Sequence, residues 1–403
     1  MRSQWLVSLI AVLIVIVGLA SGAFYFSRRS KSQVLEQRLT FIDTLRDEKR
    51  YDEALAEIQR LAPQVGSGAR RELDRKTMAI LMRTGKEENL EKVRQLAVAY
   101  LKNHPKDPHL GAVHYALGKI ALEKDGNKRA AAERFQTVVS KYPGDPFYPA
   151  AELGLAFVDV ELGDQAKARA RLEALLARDM DRATRTGVED LLGQLNTEAL
   201  YSRSLQAGEE WYIIQKGDKP VTIAKKTGVQ PELIMRCNGI QDPRTLRVGH
   251  RIRIPKVNFS IVVDVGDNTM ALLNNGKFFK KYLVRTGKDA GLTPAGAYKI
   301  AMKEINPPWS DPHTGKVYKR GDPENELGSR WMGFDRNASL GIHGTIHADT
   351  IGQYASNGCV GMLKEDVEEL FDLVPVGTEV TIKGERKKQT YAALETSSAS
   401  TSP

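Results

Sequence analysis

The spacing of apolar residues changes along this chain, and each change marks a segment of different architecture. Trp5 to Phe26 carries no charged residue over 22 positions. As a helix rising 1.5 Å per residue, that stretch reaches about 33 Å, enough for a hydrocarbon core of about 30 Å. From 34 to 200 the apolar positions recur at helical spacing, as in Tyr51-Asp52-Glu53-Ala54-Leu55-Ala56-Glu57-Ile58. From Asn258 the period becomes two, so that Ile261, Val263 and Val265 share one strand face and Val262 and Asp264 the other. Asn274-Asn275-Gly276-Lys277, with Asn-Gly at its centre, predicts a hairpin turn. Glu365 to Leu373 reads as a short helix and Glu379-Val380-Thr381-Ile382 as a closing strand. Residues 385–403 end in Ser397-Ser398-Ala399-Ser400-Thr401-Ser402-Pro403, which has nothing to bury and is expected to be disordered.

Within the helical stretch, His104-Pro105-Lys106-Asp107-Pro108 and Tyr142-Pro143-Gly144-Asp145-Pro146 recur at an offset of 38 residues. Each Asp-Pro pair offers an N-cap and a first-turn proline. Ala112, Tyr115, Leu117 and Gly118 find counterparts at the same offset in Ala150, Leu153, Leu155 and Ala156. This spacing resembles tetratricopeptide helix pairs. Such arrays present a groove to a protein partner; the plainer reading is a helical spacer, and sequence does not separate the two.

The apolar run 5–26 has two readings. One is an uncleaved anchor with Trp5 and Tyr25 at the interfaces; the other is a signal peptide cleaved near Ala20-Ser21-Gly22. Ala23-Phe24-Tyr25-Phe26 extends the run past that site and favours the anchor. Arg28, Arg29 and Lys31 follow it, and by charge alone the bulk of the chain stays cytoplasmic. The segments downstream, rather than this charge count, set the expected orientation.

Net charge is +9, from 59 basic and 50 acidic residues, which fits attraction to anionic polymers or lipid surfaces. Aromatics at 7% are not interleaved with a basic run, so nucleic acid is not an expected partner. His104, His109 and His114 lack the convergent spacing of a metal site, and neither metal nor cofactor is expected. Of the two cysteines, Cys237 sits in an apolar helical pattern and reads as a core residue.

Residues 210–256 run strand, turn, helix, turn, helix, turn, strand. They open with Trp211-Tyr212-Ile213-Ile214-Gln215-Lys216-Gly217-Asp218 and close with Val248-Gly249-His250-Arg251-Ile252-Arg253-Ile254-Pro255. This order resembles a LysM module, a βααβ unit that binds glycans containing N-acetylglucosamine. Lys219-Pro220 departs from the common pattern in the first loop. The resemblance implies glycan contacts from the Gly217-Asp218 loop and from the loop of Asn238 and Gly239; a module that binds no sugar is the alternative.

The other cysteine, Cys359, lies in Ser356-Asn357-Gly358-Cys359-Val360-Gly361-Met362, shortly after Gly341-Ile342-His343-Gly344-Thr345. A thiol becomes a strong nucleophile as thiolate, which an imidazole can generate, and glycines let a peptide backbone come close. The stretch resembles the catalytic motif of the YkuD-type L,D-transpeptidases, His-Gly-Thr followed by Ser-His-Gly-Cys-Ile/Val-Arg-Met. Thr293-Pro294-Ala295-Gly296, Asn306-Pro307-Pro308-Trp309 and Leu327-Gly328-Ser329-Arg330-Trp331 extend the likeness across 258–384. It implies a β-rich, sandwich-like catalytic domain. Two positions depart: Asn357 stands where many members have histidine, and Gly361 where most have arginine. The second change removes a fixed positive charge available to hold the loop or a substrate carboxylate.

The expected architecture is therefore multidomain: a transmembrane helix at 5–26, an all-α repeat region at 34–200, a LysM module at 210–256 and a catalytic domain at 258–384. By these resemblances the chain is expected to be a single-pass bacterial membrane protein facing the periplasm or cell wall, against the charge count. By the resemblance, Cys359 attacks a peptidoglycan stem peptide, releases its terminal D-alanine and holds a thioester, with His343 as base. A neighbouring stem's amine then forms a 3→3 cross-link. Gly344 would orient His343 through its carbonyl, the N–H groups of Gly358 and Cys359 would meet the oxyanion, and Ser356 and Asn357 would hold the loop. Trp331 and Tyr354 are candidate walls of the acyl pocket, with core packing as their plainer role. Hydrolysis by water in place of the amine (L,D-carboxypeptidase activity), attachment of a protein to the wall, and a non-catalytic wall-binding scaffold remain open from sequence.

Overall fold

The computed structural model describes residues 33–311 and 314–386. The apolar run 5–26 and most of the polar tail lie outside the described residues. Among those described, no helix is long and apolar enough to cross a membrane. The chain divides into two compact units between Asp164 and Gln165.

The first unit is a succession of helices: α1 (33–47), α2 (Tyr51–Leu61), α3 (Ser67–Arg83), α4 (Glu87–Asn103), α5 (Leu110–Glu123), α6 (Lys128–Lys141) and α7 (Tyr148–Glu161). The two Asp-Pro turns do the same work 38 residues apart. Asp107 accepts a hydrogen bond from the His109 N–H (2.8 Å), and Asp145 one from the Phe147 N–H (2.9 Å). Each carboxylate thereby satisfies a backbone donor at the entry to α5 or α7. Phe135 of α6 lies between Gly118 of α5 and Gly154 of α7. A Cβ at either glycine would come within 2.7 Å of its ring, so small residues set how closely these helices approach.

The second unit opens with α8 (Gln165–Leu176) and α9 (Arg182–Tyr201), capped by the Asp181 carboxylate. These helices read as part of the region 34–200 in sequence, yet α9 packs against the β-rich part of the chain. Asn196 of α9 donates to the Phe279 carbonyl (3.0 Å) and Glu189 pairs with Lys281 (2.7 Å). The expected small module comes next: β1 (Trp211–Ile213), α10 (Pro220–Thr227), α11 (Pro231–Cys237) and β2 (Arg251–Arg253), with β1 and β2 antiparallel. Pro220 falls in the first turn of α10, where no intrahelical donor is lost, so Lys219-Pro220 leaves the helix intact. Arg253, only 1% exposed, donates to the carbonyls of Leu200 and Ser202 (2.7 Å each) and to Glu209. One buried, fully engaged guanidinium thus locks the module to the end of α9.

From Phe259 the chain builds β3 (Phe259–Asp264), β4 (Thr269–Asn274), β5 (Lys277–Leu283), β6 (Thr286–Gly287), β7 (Gly296–Ile305), β8 (Trp309–Ser310), β9 (Val317–Tyr318), β10 (Arg330–Phe334), β11 (Gly341–Gly344), β12 (Tyr354–Ser356), β13 (Val360–Met362), α12 (Lys364–Leu373) and β14 (Glu379–Lys383). Asn275 and Gly276 both take positive φ (51° and 75°), the hairpin turn that Asn-Gly favours. Burial along β3 alternates as its pattern requires, with Phe259, Ile261 and Val263 inward. Eight strands form one sheet in the order β13-β11-β10-β7-β14-β3-β4-β5. β7 pairs with β14 through its first residues and with β10 through Ile300–Ile305, so one long strand carries the sheet from one half to the other. Ile223 and Leu233 of the module, Ile261 and Met270 of the sheet, and Val367 and Leu370 of α12 share a single core.

Candidate active site

The site lies at the β13 edge of the sheet, where three short strands bring distant residues into register. β11 runs antiparallel to β10 and parallel to β13. His343 stands opposite Trp331 on one side and opposite Gly361 on the other. Cys359 immediately precedes β13, two positions from Gly361, and so shares the face that His343 presents by the period-two rule. Both side chains line one cleft of about 470 Å³, together with Trp331, Ser356, Asn357 and Arg285.

The imidazole is oriented by its own strand. His343 Nδ1 meets the Gly344 carbonyl oxygen, which only accepts, so Nδ1 carries the proton and Nε2 keeps its lone pair. Burial, reinforced by the nearby Arg285 cation, pulls the His343 pKa down to about 4. Burial also pushes the Cys359 thiol above its ordinary value, against the opposing pull of a backbone hydrogen bond and Arg285. The thiol donates to the Ser339 carbonyl (3.3 Å) and not to the imidazole. At neutral pH the two groups are therefore an uncharged thiol and an uncharged base.

The turn before Cys359 is tied from two sides. Ser356 Oγ donates to the Cys359 carbonyl (2.6 Å) and accepts from the Gly358 N–H (3.1 Å). Thr293 Oγ1 donates to the Gly358 carbonyl (2.7 Å) and accepts from the Gly287 N–H (2.8 Å). Gly358 has φ of 129°, and a Cβ there would lie 2.6 Å from the Leu292 carbonyl oxygen, so no other residue fits. Ser356 is buried and holds the loop, whereas Asn357 is exposed in the cleft wall. The Gly358 N–H, expected at the oxyanion, is already taken by Ser356, which leaves the Cys359 N–H of that pair.

Of the two candidate walls, Trp331 reaches the cleft, its ring centroid 6.1 Å from that of His343. Tyr354 does not. β12 pairs with β6 and turns the phenol toward the Gly266 carbonyl, to which its hydroxyl donates at 3.0 Å. Thr293, Ser339 and Arg285 are site residues that sequence reasoning misses. Thr293 is visible there only as part of a turn; for the other two no local pattern signals a role.

In the small module, two of the four expected glycan contacts are consumed internally. The Asp218 carboxylate accepts from Tyr212 Oη, the Gln215 N–H and Lys226 Nζ, each at 2.8 Å, and these bonds, led by Lys226, lower its pKa to about 2. The Asn238 amide donates to the Ile234 and Arg253 carbonyls and accepts from the Arg253 N–H, clamping α11 to β2. Gly239 has positive φ and lies against Arg203; Gly217, also at positive φ, faces open space. Ile213, Val221 and Val248 are exposed apolar residues of the same module.

Two segments of the chain match known families. Residues 258–382 match the YkuD family, described as the L,D-transpeptidase catalytic domain, and residues 212–255 match the LysM domain. Two proteins of Bacillus subtilis (strain 168) named as putative L,D-transpeptidases are similar to this chain. YqjB is 35% identical over 139 residues, covering 34% of this chain and 77% of YqjB. YkuD is 30% identical over 177 residues, covering 42% of this chain and 97% of YkuD. Among solved structures, the NMR structure of the catalytic domain from the E. faecium L,D-transpeptidase is 24% identical and covers 31% of this chain and 97% of that domain, with a TM-score of 0.26.

Proposed function

The chain belongs to the L,D-transpeptidase family, and from that premise we propose that it exchanges peptidoglycan stem peptides through a thioester on Cys359. The observation that carries this reading is the strand register that sets His343 beside Cys359 in one cleft, with Nε2 unprotonated.

Because the resting pair is uncharged, proton transfer accompanies attack. Nε2 takes the thiol proton as sulfur adds to the carbonyl that joins the third stem residue to the terminal D-alanine. Negative charge develops on the carbonyl oxygen, and the Cys359 N–H is the donor we assign to it. The imidazolium returns its proton to the leaving amine of D-alanine, and a thioester remains. In the second half the side-chain amine of a neighbouring stem's third residue attacks. His343 accepts its proton, and the thiolate leaves and is reprotonated. Trp331 supports the ring from the adjacent strand, and Ser356 fixes the turn that aims the sulfur. To the LysM module we assign glycan affinity, which suits a substrate whose peptides branch from a glycan strand.

Intact-protein mass spectrometry with purified tetrapeptide muropeptides tests the reading. A thioester adduct on wild type, absent in Cys359→Ala, with 3→3 dimers as product, is the expected result. Tripeptide monomers alone would replace transfer by hydrolysis. Unreacted substrate with both proteins would sink the enzymatic interpretation.

A further inference from the structure

Gly361 stands where the family motif carries arginine, yet the cleft still has a cation in its lining, Arg285. Arg285 and Gly361 form an isolated antiparallel bridge, exchanging both backbone hydrogen bonds (2.8 and 3.0 Å). A Cβ on Gly361 would lie 2.5 Å from Nε of Arg285, 2.7 Å from its Cγ and 3.0 Å from its Cδ. Those are atoms of the middle of the side chain, which has little freedom to move aside. The glycine is therefore the room through which the arginine crosses, and a larger residue at 361 and the present path of Arg285 exclude each other.

The guanidinium that this crossing delivers is only partly satisfied. Arg285 is 6% exposed, and its Nε, wholly buried, has no hydrogen-bond partner. Nη1 makes one long bond to Thr350 Oγ1 at 3.3 Å. Glu326 and Asp349 act on it only at a distance; among the described residues no carboxylate lies within ion-pairing reach. A buried cation without a counterion is strongly unfavourable unless something satisfies it. Among the described residues Arg169 and Arg330 also leave a buried Nε unpartnered, but each donates from a terminal nitrogen to a carbonyl (3.2 and 2.9 Å), and the other buried arginine, Arg253, pairs with Glu209. Arg285 instead lines the cleft with Cys359 and His343, where an anion can enter from solvent.

We propose that Arg285 is an anion subsite of the cleft that holds a carboxylate of the acyl donor next to Cys359, and that Gly361 exists in this chain to admit it. The identification of the anion as a donor carboxylate rests on the acyl-transfer reading; the subsite itself does not. In a stem ending in D-alanine, the terminal carboxylate lies two bonds past the scissile nitrogen. A guanidinium beside the nucleophile would grip it in a charge-assisted, bidentate manner.

The test compares alkylation of Cys359 by iodoacetate and by neutral iodoacetamide in the full chain, followed by peptide mapping. Relative to a free thiol, wild type is expected to favour iodoacetate by about tenfold, the size of one charge-assisted contact. Arg285→Gln should abolish that preference, Arg285→Lys should retain part of it, and Gly361→Arg combined with Arg285→Gln should restore it. That restoration also answers any concern that the single variant is merely misfolded. With turnover, donor tetrapeptide should exceed its C-terminal carboxamide in kcat/KM in wild type but not in Arg285→Gln. Equal preference in wild type and folded Arg285→Gln overturns the subsite. Anion preference without discrimination between the two donors overturns the carboxylate assignment. Anion preference with no acyl transfer leaves the subsite standing and removes the proposed function, whereas resistance of Cys359 to both reagents overturns the two together.

Discussion

The two thiols of this chain differ both in exposure, Cys237 being buried and Cys359 half-buried, and in what surrounds them. Cys237 sits in the core of the LysM module, fully buried, with its sulfur against the Ile234 and Arg253 carbonyls and the Asn238 amide. Burial drives its pKa up to about 11. Cys359 is raised by burial too, yet it opens on a cleft, faces a neutral imidazole on the neighbouring strand and lies within the field of Arg285. A depressed resting pKa is thus not what marks the proposed nucleophile. Access and a base with a free lone pair do so, and the thiolate need exist only at the moment of attack.

The contrast is broken most directly by native-state alkylation with iodoacetamide. Cys359 should react faster than Cys237 by about a thousandfold or more, since the core thiol is reached only through opening of the module. The sign of the pH dependence follows from the raised pKa. The thiolate is the reactive species, so labelling of Cys359 should still be climbing above the pH at which a free thiol is half ionised. A plateau below that pH would show a preformed thiolate and undo the neutral-pair description.

A smaller effect is expected at Ser356. Ser356→Ala removes the bonds to the Cys359 carbonyl and Gly358 N–H, freeing the turn. The rate of thioester formation should fall by about ten- to a hundredfold, with about 1–3 kcal/mol lost in urea unfolding. An unchanged rate would mean that Thr293 alone holds the loop. Smallest is Cys237→Ala, expected to leave acyl transfer within about twofold of wild type while lowering stability by about 1 kcal/mol, read from the denaturation midpoint. A loss of transfer there would mean that the module and the cleft are coupled more closely than their shared core implies.

Much of the fold was legible because it is written in short periods. The alternation of Phe259 to Val265 fixed which face of β3 is buried, and Asn275-Gly276 fixed the hairpin after β4. The paired turns at Asp107 and Asp145 could be read at an offset that local capping explains. Site residues inside one motif were legible for the same reason: the Ser356-to-Cys359 turn closes on itself within four residues. Asp218 and Asn238 show where that reasoning fails. Their chemistry suits sugar binding, but the fold brings Lys226, Tyr212 and the Arg253 backbone to them and uses their polar groups internally. The boundary of the helical region likewise moved, because α9 found its partner in β5.

By itself the sequence determined the kind of chain this is: helices, then a LysM module, then a β-rich domain carrying a cysteine and a histidine in a glycine-rich setting. Those properties depend on neighbours a few residues apart, whose geometry the backbone periods dictate. Only the tertiary structure decided that Arg285 lines the cleft, that its side chain passes over Gly361, and that Tyr354 turns away. Each of these depends on which strands pair and in what register, and pairing between residues far apart in the chain is set by packing of the whole sheet.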